Sequence, residues 1–183
     1  MMPPATLTTE RLLLRPCVAE DADAIQRLVS DAEIARNTLH IPHPYPEGGA
    51  AEWIAKHAER LENEQEVVFG IVARDSGELV GVMGLVPKKY DRAEIGYWIG
   101  VPYWGRGYAT EAARAVIGYA FEHHGINRVE AAHFARNPAS GRVMQKAGMK
   151  HEGTMREAIR KGDEYLDTEM YAVLAADWRS STG

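Results

Sequence analysis

The sequence predicts an α+β domain in which antiparallel hairpins flank one strand–glycine turn–helix–strand unit. Two apolar runs, Val67 to Ala73 and Leu79 to Val86, are joined by Asp75-Ser76-Gly77-Glu78, a short polar turn of the kind that closes a hairpin. A third run, Ala93 to Val101, leads into Trp104-Gly105-Arg106-Gly107 and then a helical pattern. Two more strand-like segments, near Lys150 to Glu157 and Tyr165 to Leu174, are separated by the turn Lys161-Gly162-Asp163. This is not the regular alternation that builds a doubly wound sheet. At 183 residues the chain is expected to form one domain over residues 1–183, with a core from about 8 to 178.

The elements follow in order. Arg11 to Arg15 reads as a strand that Pro16 stops. Glu20 to Ser30 places Ala24, Ile25, Leu28 and Val29 on one helical face. Asn37 to Gly49 holds three prolines and paired glycines, so it reads as a loop. A helix resumes near Ala50, with Trp53, Ile54, His57, Ala58 and Leu61 as its apolar stripe. After the glycine turn, a helix starting near Ala109 buries Ala112, Ala113, Val116, Ile117, Ala120 and Phe121, and Gly125 stops it. Arg128 to Phe134 is the next strand. Asn137-Pro138 opens a further helix, with Asn at the cap and Pro in the first turn, and that helix ends at Gly148.

Composition narrows the function classes. A net charge of −5 argues against a nucleic-acid-binding surface. The lone Cys17 excludes an internal disulfide framework, supplies no zinc spacing, and reads as an inert packed thiol; no metal is expected. No apolar run is long enough to span a bilayer. Met1 to Ala5 lacks a basic or apolar leader pattern, so a cytoplasmic location is the expectation.

The glycine turn carries the chemistry. A turn at the start of a helix leaves backbone N–H groups free at its positive end, a site for phosphate or pyrophosphate. The turn lacks the Gly-Lys-Ser/Thr ending of a P-loop. It also lacks the third glycine of a dinucleotide fingerprint, whose place is taken by Thr110. Both nucleotide readings therefore fail.

Trp104-Gly105-Arg106-Gly107-Tyr108-Ala109 instead resembles the Gln/Arg-x-x-Gly-x-Gly/Ala acyl-CoA loop of the GNAT N-acetyltransferases. The likeness is nearest to the ribosomal-protein alanine N-acetyltransferase (RimJ/RimL-like) branch and extends over five ordered blocks. The others are Thr9-Glu10-Arg11-Leu12 with Leu14-Arg15, Glu94-Ile95-Gly96-Tyr97-Trp98, Asn137-Pro138-x-Ser140 with Lys146-x-Gly148, and Gly162-x-x-Tyr165-x-Asp167.

The resemblance implies a mixed, mostly antiparallel sheet splayed at its fourth strand and flanked by helices, with acetyl-CoA as the donor. Its pyrophosphate would lie on the loop formed by Trp104, Gly105, Arg106, Gly107, Tyr108, Ala109 and Thr110. Its pantetheine arm would follow the backbone of Trp98, Ile99 and Gly100, as an added strand follows an open edge. Asn137, Ser140 and Lys146 carry over as further donor contacts. The usual Gln/Arg of the loop is Trp104 here, and Met144 stands where many relatives have a tyrosine that protonates the leaving thiolate.

Each candidate side chain has a plainer alternative. Glu94 is the candidate general base, or a surface or salt-bridged glutamate. Ser140 is the candidate acid, or a hydroxyl bonded to a nearby amide. Glu111 reads as support for the helix start, and Tyr165 and Asp167 as fixing the last hairpin. His40 and His43 either line the acceptor pocket or are solvated. The implied reaction is transfer of acetyl from acetyl-CoA to a primary amine, with a protein N-terminal α-amine as acceptor. Two alternatives stay open: a small-molecule amine or amino-acid N-acetyltransferase, and a non-catalytic acyl-CoA-binding regulator. A homodimer or a monomer is the expected state.

Overall fold

A computed structural model describes residues 6–62 and 66–182. Eight strands form one sheet in the order β1-β2-β3-β4-β5-β6-β8-β7. They are β1 (Leu7–Thr8), β2 (Leu12–Pro16), β3 (Val67–Ala73), β4 (Leu79–Lys88), β5 (Arg92–Ile99), β6 (Arg128–Phe134), β7 (Lys150–Lys161) and β8 (Glu164–Leu174). The helices are α1 (Ala22–Val29), α2 (Ala32–Asn37), α3 (Gly49–Glu62), α4 (Tyr108–His123), α5 (Pro138–Lys146) and α6 (Ala175–Thr182). Every strand pair is antiparallel except β5 with β6, which α4 connects as a crossover.

The sheet is covered on both faces, which is why β3 is buried along its whole length and reads as a continuous apolar run. One cluster packs α4, α5 and α6 on the sheet through Val116, Ile117, Met144 and Trp178. The other packs α1, α2 and α3 through Ile25, Leu28, Ile34 and Ile54 against Val68 and Val82. Trp53 packs against this second cluster and stacks on His57 with ring centroids 4.1 Å apart. The side chains of Ala58 and Leu61, which spacing put on the same stripe, lie outside the described residues, as do Met1 to Ala5.

The core strands and α4 match the boundaries read from sequence to within a few residues. The differences have local causes. Glu20–Ser30 divides into a 3-10 turn, Ala19–Asp21, followed by α1. A short α2 occupies Ala32–Asn37, capped by the Asp31 carboxylate, which accepts from the Glu33 amide at 2.9 Å. β7 continues past Glu157 to Lys161 by way of a bulge, where Glu157 takes a φ of 48° and its amide donates to Asp167 Oδ1 at 2.7 Å. Asp167 thus fixes the last hairpin, as expected from sequence.

The decisive feature is the divergence of β5 from β6. They pair only at Arg92 with Arg128, Ala93 with Val129 and Glu94 with Glu130. β5 then stays on β4 as far as Ile99, while β6 stays on β8 as far as Phe134. From Ile95 onward one edge of β5 is open. With the two-residue β1 set aside, β5 is the fourth strand, the one expected to splay.

Candidate active site

The splay opens a cavity of about 460 Å³. Its walls are β5 from Ile95 to Ile99, the glycine turn with the start of α4, Ala132 and His133 of β6, and one face of α5. Ile34, Asn37 and Thr38, at the end of α2, close the remaining side. Among the described residues lining it, none is Asp or Glu.

The glycine turn meets the requirements of an anion cradle. Gly105 and Gly107 have φ of 75° and 80°, a left-handed backbone that side chains rarely adopt, and a Cβ on Gly105 would meet nothing within 4 Å. Gly107 occupies the cap position of α4 without a side chain to satisfy the first amides. The helical bond of Glu111 to Gly107 O, 3.1 Å, leaves the amides of Tyr108, Ala109 and Thr110 ahead of it without an intrahelical acceptor. All three residues, with Gly105 and Gly107, line the cavity, whereas Arg106 does not. The Arg106 guanidinium instead donates to Pro102 O at 3.2 Å and lies over Tyr103.

Trp104 takes a part that the loop pattern alone did not reveal. Its indole N–H donates to Ile99 O at 2.6 Å. The Gly100 amide points to Val80 O of β4, at 2.9 Å, so the planar trans peptide turns Ile99 O toward the open edge. Trp104 therefore ties the turn to the strand and occupies one acceptor on that edge. Gly100 is not part of the lining. It faces α1, where a Cβ would come within 2.6 Å of Leu28 Cδ2.

The α5 face brings the polar groups together. Asn137 stands at the cap position, but its side chain forms no cap bond and lines the cavity, contrary to the side-chain cap that the sequence suggested. The Ser140 and Tyr97 hydroxyls are 2.8 Å apart, joining helix to strand. Burial pushes the Tyr97 phenol up to about 12, opposed only partly by the bond to Ser140, so it is protonated at neutral pH. Lys146 lines the cavity together with Arg142, one turn earlier on the same helix face. Gly141 lets α5 approach β6, since a Cβ there would lie 2.6 Å from His133 Nε2. His133 Nδ1–H donates to Phe134 O at 2.8 Å, and its Nε2 has no partner.

Tyr97, His133 and Arg142 were absent from the sequence-based set. Arg142 was legible from its four-residue spacing to Lys146. Tyr97 entered only as a member of the block Glu94-Ile95-Gly96-Tyr97-Trp98 and His133 had no signal, because each sits in a strand whose residues are mostly apolar.

Glu94 lies outside the cavity lining. It shares a face with Trp98, which does line the cavity, but its carboxylate meets Lys88 Nζ at 2.8 Å and is about half exposed. His40 and His43 are exposed and also outside the lining. Glu111 supports the start of α4, as expected. Burial alone would raise its carboxyl, but bonds from Thr9 Oγ1, the Arg11 amide and the Arg11 side chain hold it below the usual range. Burial pushes the Cys17 thiol to about 12, in keeping with a packed, inert group.

The α2 wall is pinned by cations. Lys161 Nζ donates to the carbonyls of Ala35 and Thr38 at the end of α2. Arg136 Nη2 donates to Arg36 O at 2.9 Å, while Nη1 pairs with Glu164 at 2.7 Å. Positive groups at a helix C-terminus complement its free carbonyls and its dipole.

A splayed sheet with an amide cradle at the start of its crossover helix is the architecture that the five sequence blocks led us to expect. A family model described as "Acetyltransferase (GNAT) domain" matches residues 11–150. The chain belongs to the GNAT acetyltransferase family. It is 32% identical over 170 residues to the uncharacterized N-acetyltransferase YoaA of Bacillus subtilis (strain 168), covering 92% of this chain and 96% of that one. It is 27% identical over 187 residues to the ribosomal protein uS5-alanine N-acetyltransferase of Escherichia coli (strain K12), covering 97% and 94%. A solved GNAT-family acetyltransferase from Bacillus anthracis superposes with a TM-score of 0.85 at 27% identity, over 94% of this chain and 99% of that one. The chain is thus an acetyl-CoA-dependent N-acetyltransferase, and the cradle, the open strand edge and the cationic α5 face suit a pyrophosphate-bearing thioester donor.

Proposed function

We propose that the acceptor is the α-amine of a protein N-terminus. The observation that carries this reading is the cavity lining without a carboxylate among its described residues. A polyamine would bring several ammonium groups into the cleft, each needing a partner there to offset its desolvation. An N-terminus brings one amine, and that amine reacts as the free base. Deprotonation at pH 7 costs about 1.4 kcal/mol for an α-amine of pKa near 8, against roughly 4–5 kcal/mol for a lysine. A site without a strong base in contact with the amine is therefore matched to an α-amine. The similarity to the uS5-alanine enzyme supports the same choice.

The donor supplies an activated acetyl group as a thioester, and the residues provide placement and hydrogen bonds. Ser140 donates to the leaving sulfur, whose conjugate acid has a pKa near ~8.5. Tyr97, at about 12, is too weak an acid to give up its proton outright, a step uphill by about 5 kcal/mol. Of the two acceptors within reach, Ser140 Oγ at 2.8 Å and Ser140 O at 3.3 Å, it donates to the nearer and leaves the serine proton free to face the cleft. Glu94, one residue before the first cavity-lining position of β5, serves as base only by relaying the amine's proton through water.

The test is regiochemical. A peptide with one free N-terminal alanine and one internal lysine is incubated with acetyl-CoA, and the modified nitrogen is located by fragmentation mass spectrometry. Acetyl on the α-nitrogen alone is the expected result, and modification of the lysine alone would overturn the reading. Turnover restricted to free amino acids or small amines would favour a small-molecule role, and CoA binding with no acetylated product would favour a regulator.

A further inference from the structure

The block Thr9-Glu10-Arg11-Leu12 lies far in sequence from the glycine turn, yet Arg11 reaches it. Arg11 Nη1 donates to Arg106 O at 2.9 Å. Its Nε donates to Glu111 Oε2 at 2.7 Å, and the Arg11 amide donates to Glu111 Oε1 at 2.8 Å. Thr9 Oγ1 donates to the same Oε1 at 2.6 Å. The guanidinium also lies 5.1 Å from the centre of the Tyr108 ring, and a Cβ on Gly107 would come within 3.4 Å of Nη2. One side chain thus touches the carbonyl before Gly107, the first residue of α4 and the acid of its first turn.

We propose that Arg11 is a positioning residue that aims the Gly107 amide into the donor's pyrophosphate site. In a trans peptide the C=O of one residue and the N–H of the next point in opposite directions. Holding Arg106 O toward Arg11 therefore turns the Gly107 N–H away from Arg11. Gly107 is free to rotate this peptide, because a glycine at φ 80° has no side chain to restrict it. A flipped peptide would present a carbonyl to the anion instead of a donor. Glu111 Oε2 anchors the guanidinium at two points, Nε and Nη2, each at 2.7 Å, so the fork can reach Arg106 O only from one direction. The pairing also neutralises an acid that would otherwise stand beside a bound phosphate. The surface ion pair by itself contributes little stability; its value lies in the direction it imposes.

This inference rests on the glycine turn being the pyrophosphate site, and the experiment separates the two. CoA binding is measured by calorimetry for wild type, Arg11→Met, Glu111→Gln and Gly107→Asp. Turnover is measured in parallel with acetyl-CoA and with acetyl-pantetheine, which has no pyrophosphate. Arg11→Met is expected to weaken CoA about tenfold and to leave kcat/KM for acetyl-pantetheine unchanged. Glu111→Gln, which removes the anchor but keeps the cation, is expected to weaken CoA in the same direction. Unchanged or tighter CoA binding in Glu111→Gln would overturn the positioning role, because a guanidinium released onto the phosphate would then suffice. Equal losses with both thioesters would also overturn it, since they would indicate a general structural defect. If Gly107→Asp binds CoA normally the pyrophosphate site itself is wrong; if it does not bind while Arg11→Met binds as wild type, only the role of Arg11 falls.

Discussion

The Tyr97 hydroxyl on β5 lies 2.8 Å from the Ser140 hydroxyl on α5 and 3.3 Å from the Ser140 carbonyl, so one phenol joins the two walls of the cleft beside the open strand edge. With the phenol donating to Ser140 Oγ, as proposed, the serine proton has fewer orientations left to it. Ser140→Ala should lower kcat about 10- to 100-fold with little change in the KM for acetyl-CoA, a modest effect because a thiolate leaves readily. Tyr97→Phe should lower kcat by a smaller factor in the same direction. Steady-state kinetics of the two variants check this, and a Tyr97→Phe enzyme with wild-type kcat would remove the relay.

The assignment of Glu94 is tested by pH. Glu94→Gln should slow acetylation of a peptide mainly at low pH, where less of the amine is free base. Loss of rate that is uniform from pH 6 to 9 would show that the Lys88–Glu94 pair is structural.

The α2 wall, which we propose faces the acceptor, depends on Lys161, which holds the carbonyls of Ala35 and Thr38, while Thr38 itself lines the cavity. Burial and the nearby Arg136 charge push the Lys161 pKa down, opposed only partly by Glu164. Lys161→Met should raise the KM for a peptide acceptor about three- to tenfold and leave the KM for acetyl-CoA unchanged. A rise in both constants would place the effect on the whole fold.

Acid should unfold the protein partly through Asp21. Burial alone would raise its carboxyl, but Arg15, at 2.7 and 2.9 Å, and the Val18 amide outweigh that and hold it low. A carboxylate lowered on folding binds fewer protons in the folded state, so its contribution is complete above the unfolded value near ~3.9 and is lost as pH falls through the folded value. Asp21→Asn should cost about 1–3 kcal/mol at pH 7 and less at pH 3, as read by urea unfolding. An equal cost at both pH values would contradict the assignment.

Much of this molecule was legible in its sequence, and the reasons for the gaps are physical. The β5–turn–α4 unit stood out because Gly105 and Gly107 interrupt an apolar run just where a helical period begins. The six residues of α2 were hidden by the proline-rich segment after it, and two of them, Ile34 and Asn37, line the cavity. Tyr97 sits in Ile95-Gly96-Tyr97-Trp98-Ile99, which is apolar on both faces, so alternation could not say which residue faces the cleft. Glu94 was placed on the face of β5 that it shares with Trp98, but spacing along one strand does not show that Lys88 waits for it across the hairpin. Arg11 was noticed only as part of a pattern, since its partners Arg106 and Glu111 lie about a hundred residues away.

The most direct test is a competition for acetyl transfer. Thiol release from acetyl-CoA is followed with an alanine-initiated peptide and with spermidine, separately and together. The account predicts turnover of the peptide, little turnover of spermidine, and no inhibition of one by the other at similar concentrations. Rapid turnover of spermidine with none of the peptide would contradict it.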